Sequence, residues 1–344
     1  MTTASSEPLQ SQCEPCASYV TDAIYAKYGD ALARFGAHGR QVCRQDVLHH
    51  LDYLASALFL GSPKPFVQYV LWLRDVLAAR SVPVAHLDYS LELMAAFLGD
   101  KLADESCVRL RKTIAEARAS LADDNAGTAQ YGMTRRAPLA QVHTYQLSIL
   151  QGQRHAAMAC VHEAMDAGAS LAQVSVQIIQ PAMYEVGNLW QKNRVTVSQE
   201  HLASAISQNV LVSAYLKATF LPAVEKLAVF ACVEGNHHAL GLRMLSDVFE
   251  TQGWDAAYLG GDVPTHDLVR DVDARRPQLL ALSASLPQHL NTARQTIDTL
   301  RVELGQACPE IWIGGLATLG EVAIWRHTKA DSWSADALHA LEQL

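Results

Sequence analysis

After Pro222 the chain changes its hydrophobic rhythm, and this change constrains the fold more than any other feature. KLAVFACV (226–233) is a short unbroken apolar run, the pattern of a strand buried on both faces. HALGLRMLSDVFETQG follows at helical spacing and closes on Gly253. WDAAYLGG (254–261) is a second strand, and THDLVRDVDARR a helix capped by Thr265. LLALSAS (279–285), the helix HLNTARQTIDTLRVEL and EIWIGG (310–315) continue the alternation toward Leu344. Strands alternating with helices predict a parallel sheet covered on both faces. In such sheets ligands bind beyond the carboxyl ends of the strands. The turns after each strand are therefore the places to search.

The rest of the chain divides by composition. Residues 1–17 read as a polar tail, and 18–122 as an all-α domain with apolar residues at i, i+3, i+4 and i+7. Residues 123–138 read as a linker. Residues 139–222 form four short-looped helical segments, the pattern of an antiparallel four-helix bundle. The strand–helix region, 223–344, completes a multidomain α and α/β chain. Half the residues are apolar and 18% charged, which is a globular composition. A net charge of −8 opposes phosphate binding, so no direct nucleic-acid partner is expected. No apolar run reaches membrane-spanning length, and MTTASSEPLQSQ lacks the features of a secretory signal. Seven scattered cysteines fit reduced thiols and a cytoplasmic location. Cys13 and Cys16 form a CxxC without the second pair of a zinc site.

At the first strand end stands Asn236-His237-His238-Ala239-Leu240-Gly241, with no GxGxxG nearby. Taken alone, this is either a surface histidine pair at a helix start or a histidine presented to a metal, with Gly241 permitting close backbone approach. The third strand ends in Ser283-Ala284-Ser285-Leu286 and the fourth in Gly314-Gly315. In this order the three strand ends resemble the cobalamin-binding Rossmann-like domain, with its D-x-H-x-x-G, S-x-L and GG pattern. The resemblance implies that His238 is the lower axial ligand of cobalt. It implies further that Ser283 lines the nucleotide-tail pocket and that Gly314 and Gly315 flank the dimethylbenzimidazole. This chain departs from the pattern twice. Asn236 replaces the acid, bringing an acceptor for the histidine but no charge, and Ser285 stands where the pattern has Leu.

The bundle supplies LWQKNRVTVSQEHLAS, in which Trp190 precedes Glu200-His201 by nine intervening residues. Locally this reads as a helix end, a turn at Asn193 and a capping Ser198. Beside the downstream domain it is similar to the W-x9-EH segment of light-sensing adenosylcobalamin photoreceptors. That resemblance implies a helical cap over the upper corrin face. Trp190 would pack on the adenosyl group, Val197 would shape the pocket, and Glu200 and His201 would hydrogen-bond around it. Gln191 occupies the position where some such repressors carry a histidine, so bis-histidine ligation through it is not expected.

The N-terminal helices show no helix-turn-helix signature and no basic recognition helix. With aromatics at helical spacing (Tyr53, Phe66, Tyr69, Trp72, Tyr89), they read either as an ordinary helical core or as a chromophore site. Together with the two downstream domains they resemble the globin-like, bilin-binding domain of photocobilins. His49, His50, Trp72, Arg74, Asp75 and Arg80 are then candidates for a biliverdin site by residue type, and Cys43 or Cys107 for covalent attachment. Haem is the rival tenant, with His49, His50 or His86 as ligand. The expected function is light sensing rather than turnover, through adenosylcobalamin, a light-dependent homo-oligomeric state and an unidentified protein partner. The alternatives are a corrinoid methyl carrier of a methyltransferase system and a non-photochemical cobalamin-responsive regulator.

Overall fold

The structure, a computed structural model, describes residues 7–99, 101, 104–123, 126, 136–319 and 323–344. Most of the expected linker 123–138 lies outside these. The chain forms two compact units, Met1–Ala129 and Gln130–Leu344. The helical bundle and the strand–helix region thus fall within one unit.

The first unit is helical: α1 (Glu7–Gln10), α2 (Cys13–Leu32), α3 (Gly36–Leu60), α4 (Lys64–Ala78), α5 (Val84–Gly99) and α6 (Asp104–Leu121). Phe66, Tyr69, Val70, Leu73 and Val76 put one stripe of α4 in the core, against Leu51, Leu54, Leu91, Met94 and Leu110. The expected polar tail is corrected from Glu7 onward, because α1 begins at Glu7 and α2 at Cys13. Its buried stripe starts inside the expected tail with Cys16 and Ala17 and continues through Val20 and Ile24. The Cys13 thiol donates to the Leu9 carbonyl at 3.4 Å, and burial pushes the Cys16 thiol up to about 12. Neither is a thiolate at neutral pH, so the CxxC serves the core.

The second unit opens with the cap: α7 (Val142–Leu150), α8 (Arg154–Asp166), α9 (Leu171–Val174), α10 (Gln180–Gln191) and α11 (Val197–Lys217). The long third segment expected from the sequence is interrupted by a π-helical turn over Ser175–Ile179. Pro181 has no N–H to offer the Gln177 carbonyl, which accepts instead from the Leu139 amide at 3.0 Å. Helix α11 is opened by Thr196, not by the expected Ser198. The Thr196 hydroxyl accepts from the Gln199 amide, and the Gln199 side chain accepts from the Thr196 amide. Thr196→Ala should destabilise this unit by about 1 kcal/mol in urea denaturation. An unchanged midpoint would show that the cap does not hold the start of α11.

The remainder is a parallel five-stranded sheet in the order β2-β1-β3-β4-β5. The strands are β1 (Leu227–Val233), β2 (Asp255–Val263), β3 (Leu279–Ser283), β4 (Glu310–Gly314) and β5 (Ser332–Trp333). Between them run α12 (Leu240–Thr251), α13 (Thr265–Arg275) and α14 (Pro287–Leu304), and α15 (Ala337–Leu341) closes the chain. Thr265 is the first helical residue of α13 rather than its cap, and its hydroxyl pairs with that of Thr296 at 2.9 Å. Ala228 to Val233 are wholly buried, as the apolar run requires. Phe230, Phe249 and Trp312 pack edge to face beneath α12. Gly253, at φ +84°, lies where a Cβ would stand 2.0 Å from the Pro222 carbonyl oxygen, so only glycine admits the chain that leads from cap to sheet. The strand order reverses direction between β1 and β3, which makes the ends of those strands the crevice of this fold. Among the described residues no helix is long and apolar enough to cross a membrane.

Candidate functional site

A cavity of about 770 Å³ opens at that crevice, between the sheet and the cap. Trp190, Val197, Glu200 and His201 line it from the cap; His238, Gly241, Ser283, Ser285, Gly314 and Gly315 line it from the sheet. Of the residues singled out in the sequence, the structure therefore brings ten to one cavity. Asn236 lies behind the wall, fully buried.

Asn236 acts as a clamp. Its Nδ2 donates to the Ser283 carbonyl at 2.8 Å, joining the loop after β1 to the end of β3. Its Oδ1 accepts from the backbone N–H of His238 at 3.1 Å, not from the histidine ring as the sequence reading expected. A negative charge is unnecessary for this task, because both partners are neutral peptide groups. The neighbouring Gly235 amide donates to Asp262 Oδ1 at 2.7 Å, and the Asp262 amide to the Asn236 carbonyl at 2.9 Å. His238 is thus carried on a turn pinned to both neighbouring strands, and α12 begins only after it, at Leu240.

The His238 imidazole is held below its ordinary pKa. Burial is the main cause; the Glu200 carboxylate opposes it and His237 adds to it. A neutral ring at pH 7 keeps the lone pair a metal ligand requires. The Glu200 carboxylate accepts from the Ser204 hydroxyl at 2.7 Å and bonds the His201 ring at 2.6 Å. The two polar residues of the cap segment therefore form a pair that Ser204 holds in place.

The glycine pair has a structural cause of its own. Gly315 takes φ +97°, and a Cβ there would stand 2.4 Å from the Ala284 carbonyl oxygen. A Cβ on Gly314 would come within 3.0 Å of the Ser334 carbonyl oxygen. Gly241 differs, since a Cβ there meets no protein atom within 4 Å, and Gly187 on α10 is the same. Both line the cavity, so both keep open the space a ligand would fill. Sequence reading missed Gly187, although a glycine inside a helical run three residues before the key tryptophan was a usable signal. It also missed His289, a buried histidine at the start of α14. Its sign was a hydrogen-bonding side chain at the third helical position, two residues after Pro287.

These residues fit a cobalamin. The His238 imidazole, held neutral, lines the cavity beside His237 on the sheet side, Gly187 and Gly241 leave space open on two sides, and the Trp190 indole stands in the cap. His201, His237 and His238 all line the cavity, but among the described residues no group of three His, Cys, Asp or Glu could hold a bare ion, which suits a metal that arrives with a macrocycle of its own.

The candidate bilin residues are placed differently. His50 is a core residue, 4% exposed, with Nδ1 2.8 Å from the Tyr69 hydroxyl, while His49 is exposed. Arg74 pairs with Asp75 at 3.0 Å and also donates to the Ala126 carbonyl; Trp72 lies 6.1 Å from Tyr69, ring to ring. Arg80 donates to the Val76 carbonyl, and His86 stacks on Tyr28 at 4.1 Å. Burial pushes the Cys43 thiol up to about 11, and the Cys107 thiol donates to the Gly99 carbonyl. Burial also pushes His50 down to about 3, with His49 contributing. The unfolded chain takes up this proton near pH 6.5 and the folded chain does not, so acid favours unfolding. Between those values the His50 contribution should lower stability by about 1.4 kcal/mol per pH unit. His50→Gln, which keeps a hydrogen-bonding group for Tyr69, should flatten the acid limb of the first unit's stability profile. An unaltered slope would contradict this.

Sequence comparison gives the same division as the geometry. Residues 226–342 match the family model described as a B12 binding domain, and residues 142–213 match a second B12 binding domain model. The first falls on the sheet and its helices, the second on the cap, so the chain carries B12-binding domains around the cavity. Among similar proteins is the HTH-type transcriptional repressor CarH of Myxococcus xanthus, 30% identical over 43% of this chain and 48% of the repressor. Another is the HTH-type transcriptional repressor CarA of the same organism, 37% identical over 26% of this chain and 31% of that protein. Dimethylamine corrinoid protein 3 of Methanosarcina acetivorans is 26% identical over 40% of this chain and 65% of its own length. The chain thus spans about half or less of the two repressors, and it resembles both regulators and corrinoid proteins.

Proposed function

We propose that this chain is a light-sensing photoreceptor that holds adenosylcobalamin between the cap and the sheet. The observation that carries the reading is one cavity with Trp190 on its cap side and His238 on its sheet side. When bound, the cofactor supplies a light-labile cobalt–carbon bond. His238 would offer its neutral imidazole to the cobalt, and Asn236 fixes the loop that carries it. Ser283, Ser285, Gly314 and Gly315 line the way in for the nucleotide tail. Trp190 and Val197 give the upper ligand an apolar wall, and the Glu200–His201 pair gives it hydrogen-bonding groups. Because cap and sheet residues line one cavity, a change in what fills it would change how the cap packs on the sheet. A changed homo-oligomeric state and an unidentified protein partner then carry the signal. Biliverdin in the N-terminal helices is the second chromophore of this reading, resting on resemblance alone.

A corrinoid methyl carrier is the second reading, favoured by the similarity to the dimethylamine corrinoid protein. Comparative binding separates the two. The photoreceptor should bind adenosylcobalamin more tightly than methylcobalamin, because Trp190, Val197 and Gly187 shape a space beyond what a methyl group fills. Equal or reversed preference would favour the carrier. Incubation with biliverdin in darkness should leave a far-red band after gel filtration, and its absence would remove the second chromophore.

A further inference from the structure

We propose that Thr318 is a positioning residue for the nucleotide end of the corrinoid: its buried hydroxyl fixes the carbonyl of Gly315 and so sets how selectively the chain takes corrinoids that carry a nucleotide tail. This rests on reading the strand ends as the tail pocket. Around the end of β4 the cavity is bordered by Ser283 of β3, by Gly314 and Gly315, and by Ser334, Ala335 and Asp336 of the loop after β5. Leu316 and Leu319 line it too. Thr318, between them in the chain, is 2% exposed and takes no part in the wall.

Three bonds meet at Thr318. Its hydroxyl donates to the Gly315 carbonyl at 2.7 Å, and its amide donates to the same oxygen at 3.0 Å. The hydroxyl accepts in turn from the indole N–H of Trp333, on β5, at 2.8 Å. An indole can only donate and a hydroxyl has one proton to give, so the direction is fixed: Trp333 to Thr318 to Gly315. On the other side of Gly315, the Gly314 carbonyl accepts from the Ala284 amide at 2.9 Å. Both peptide groups that flank Gly315 are thereby held, one from the end of β3 and one from β5 through Thr318. Gly315 needs both fastenings, because at φ +97° it holds one setting among the many a glycine can take. A local turn would be complete with the amide bond alone. The hydroxyl adds a tie to a strand fifteen residues further along, which fixes the Gly315 edge of the cavity against the loop after β5.

The test compares two corrinoids. Thr318→Val keeps the shape of the side chain and removes the hydroxyl, whereas Thr318→Ser keeps the hydroxyl. The measurement is the dissociation constant of the full chain, in darkness, for adenosylcobalamin and for adenosylcobinamide, which has the same corrin and adenosyl group but no nucleotide tail. The wild-type protein should prefer adenosylcobalamin. Thr318→Val should bind adenosylcobalamin about tenfold more weakly, the order of one buried hydrogen bond, and adenosylcobinamide within about twofold of wild type. Thr318→Ser should restore the preference. Equal losses for both corrinoids, no loss for either, or a Thr318→Ser that behaves as Thr318→Val would overturn the proposal. A wild-type protein that binds both corrinoids alike would instead overturn the tail-pocket reading, and the proposal with it. Should Thr318→Val fail to fold, Trp333→Phe decides. It keeps an aromatic ring and drops the N–H, so it should narrow the preference in the same direction, and an unchanged preference would sink the relay.

Discussion

His238→Ala should bind adenosylcobalamin on the order of 100-fold more weakly and leave the cobalt without a protein nitrogen, while the fold stays intact. The two effects separate because the fastening of the turn runs through the backbone. Asn236 Oδ1 accepts from the His238 amide, which alanine retains, and the Gly235 and Asp262 bonds do not involve residue 238 at all. The ring itself faces the cavity, where its removal leaves no core void. Unfolding free energy should therefore change by no more than about 0.5 kcal/mol. Equilibrium binding in darkness and a cobalt absorption spectrum read the first effect, and urea denaturation the second. Unchanged binding and spectrum would remove His238 as ligand; a large stability loss would mean that the ring, not the backbone, holds the turn.

Two glycines that line the sheet side of the cavity, Gly315 and Gly241, should respond in opposite ways. Gly315→Ala adds a Cβ 2.4 Å from the Ala284 carbonyl oxygen at φ +97°. The obstruction is backbone, held by hydrogen bonds from the Ala284 amide to Gly314 and from the Ala317 amide to Ala284. Overlap and backbone strain together should cost about 3 kcal/mol. Gly241→Ala places its methyl group in open cavity space on a helix, so the fold should hold or gain up to about 1 kcal/mol. Its cost should appear in cobalamin binding instead. Denaturation curves for both variants, set beside their affinities, check the contrast. A stable Gly315→Ala, or a Gly241→Ala that binds normally, would contradict it.

The reading of the chain succeeded where one residue type had one physical use. Unbroken apolar runs located β1, β3 and β4, because parallel sheets bury their strands, and His238, Ser283 and the glycine pair at the strand ends come together at one cavity. It failed where a side chain serves the backbone. Asn236 was read as a partner for an imidazole, but its amide bridges two peptide groups of different loops, a relation that sequence spacing cannot display. His289 escaped notice because its partners are backbone amides, those of Ser285 and Leu286 in the turn before its own helix. Thr196 and Ser198 are both plausible caps by type, and only Gln199, three residues after Thr196, selects between them through a reciprocal bond. The start of the N-terminal stripe was hidden by its neighbours, since Cys16 and Ala17 are buried but follow the polar residues Ser11, Gln12 and Glu14. His50 illustrates the converse: a histidine typed as a chromophore candidate proves to be hydrogen-bonded inside the core.

The most direct test of the central claim is the absorption spectrum of the full chain loaded with adenosylcobalamin in darkness, recorded before and after green light. A cavity that holds the cofactor between Trp190 and His238 predicts a stable dark spectrum with a protein imidazole on cobalt, a lasting change of the cobalt bands on illumination, and a shifted elution volume in sizing chromatography. A loaded protein whose spectrum and elution volume are the same in light and dark would contradict the photoreceptor account and leave the corrinoid carrier in its place.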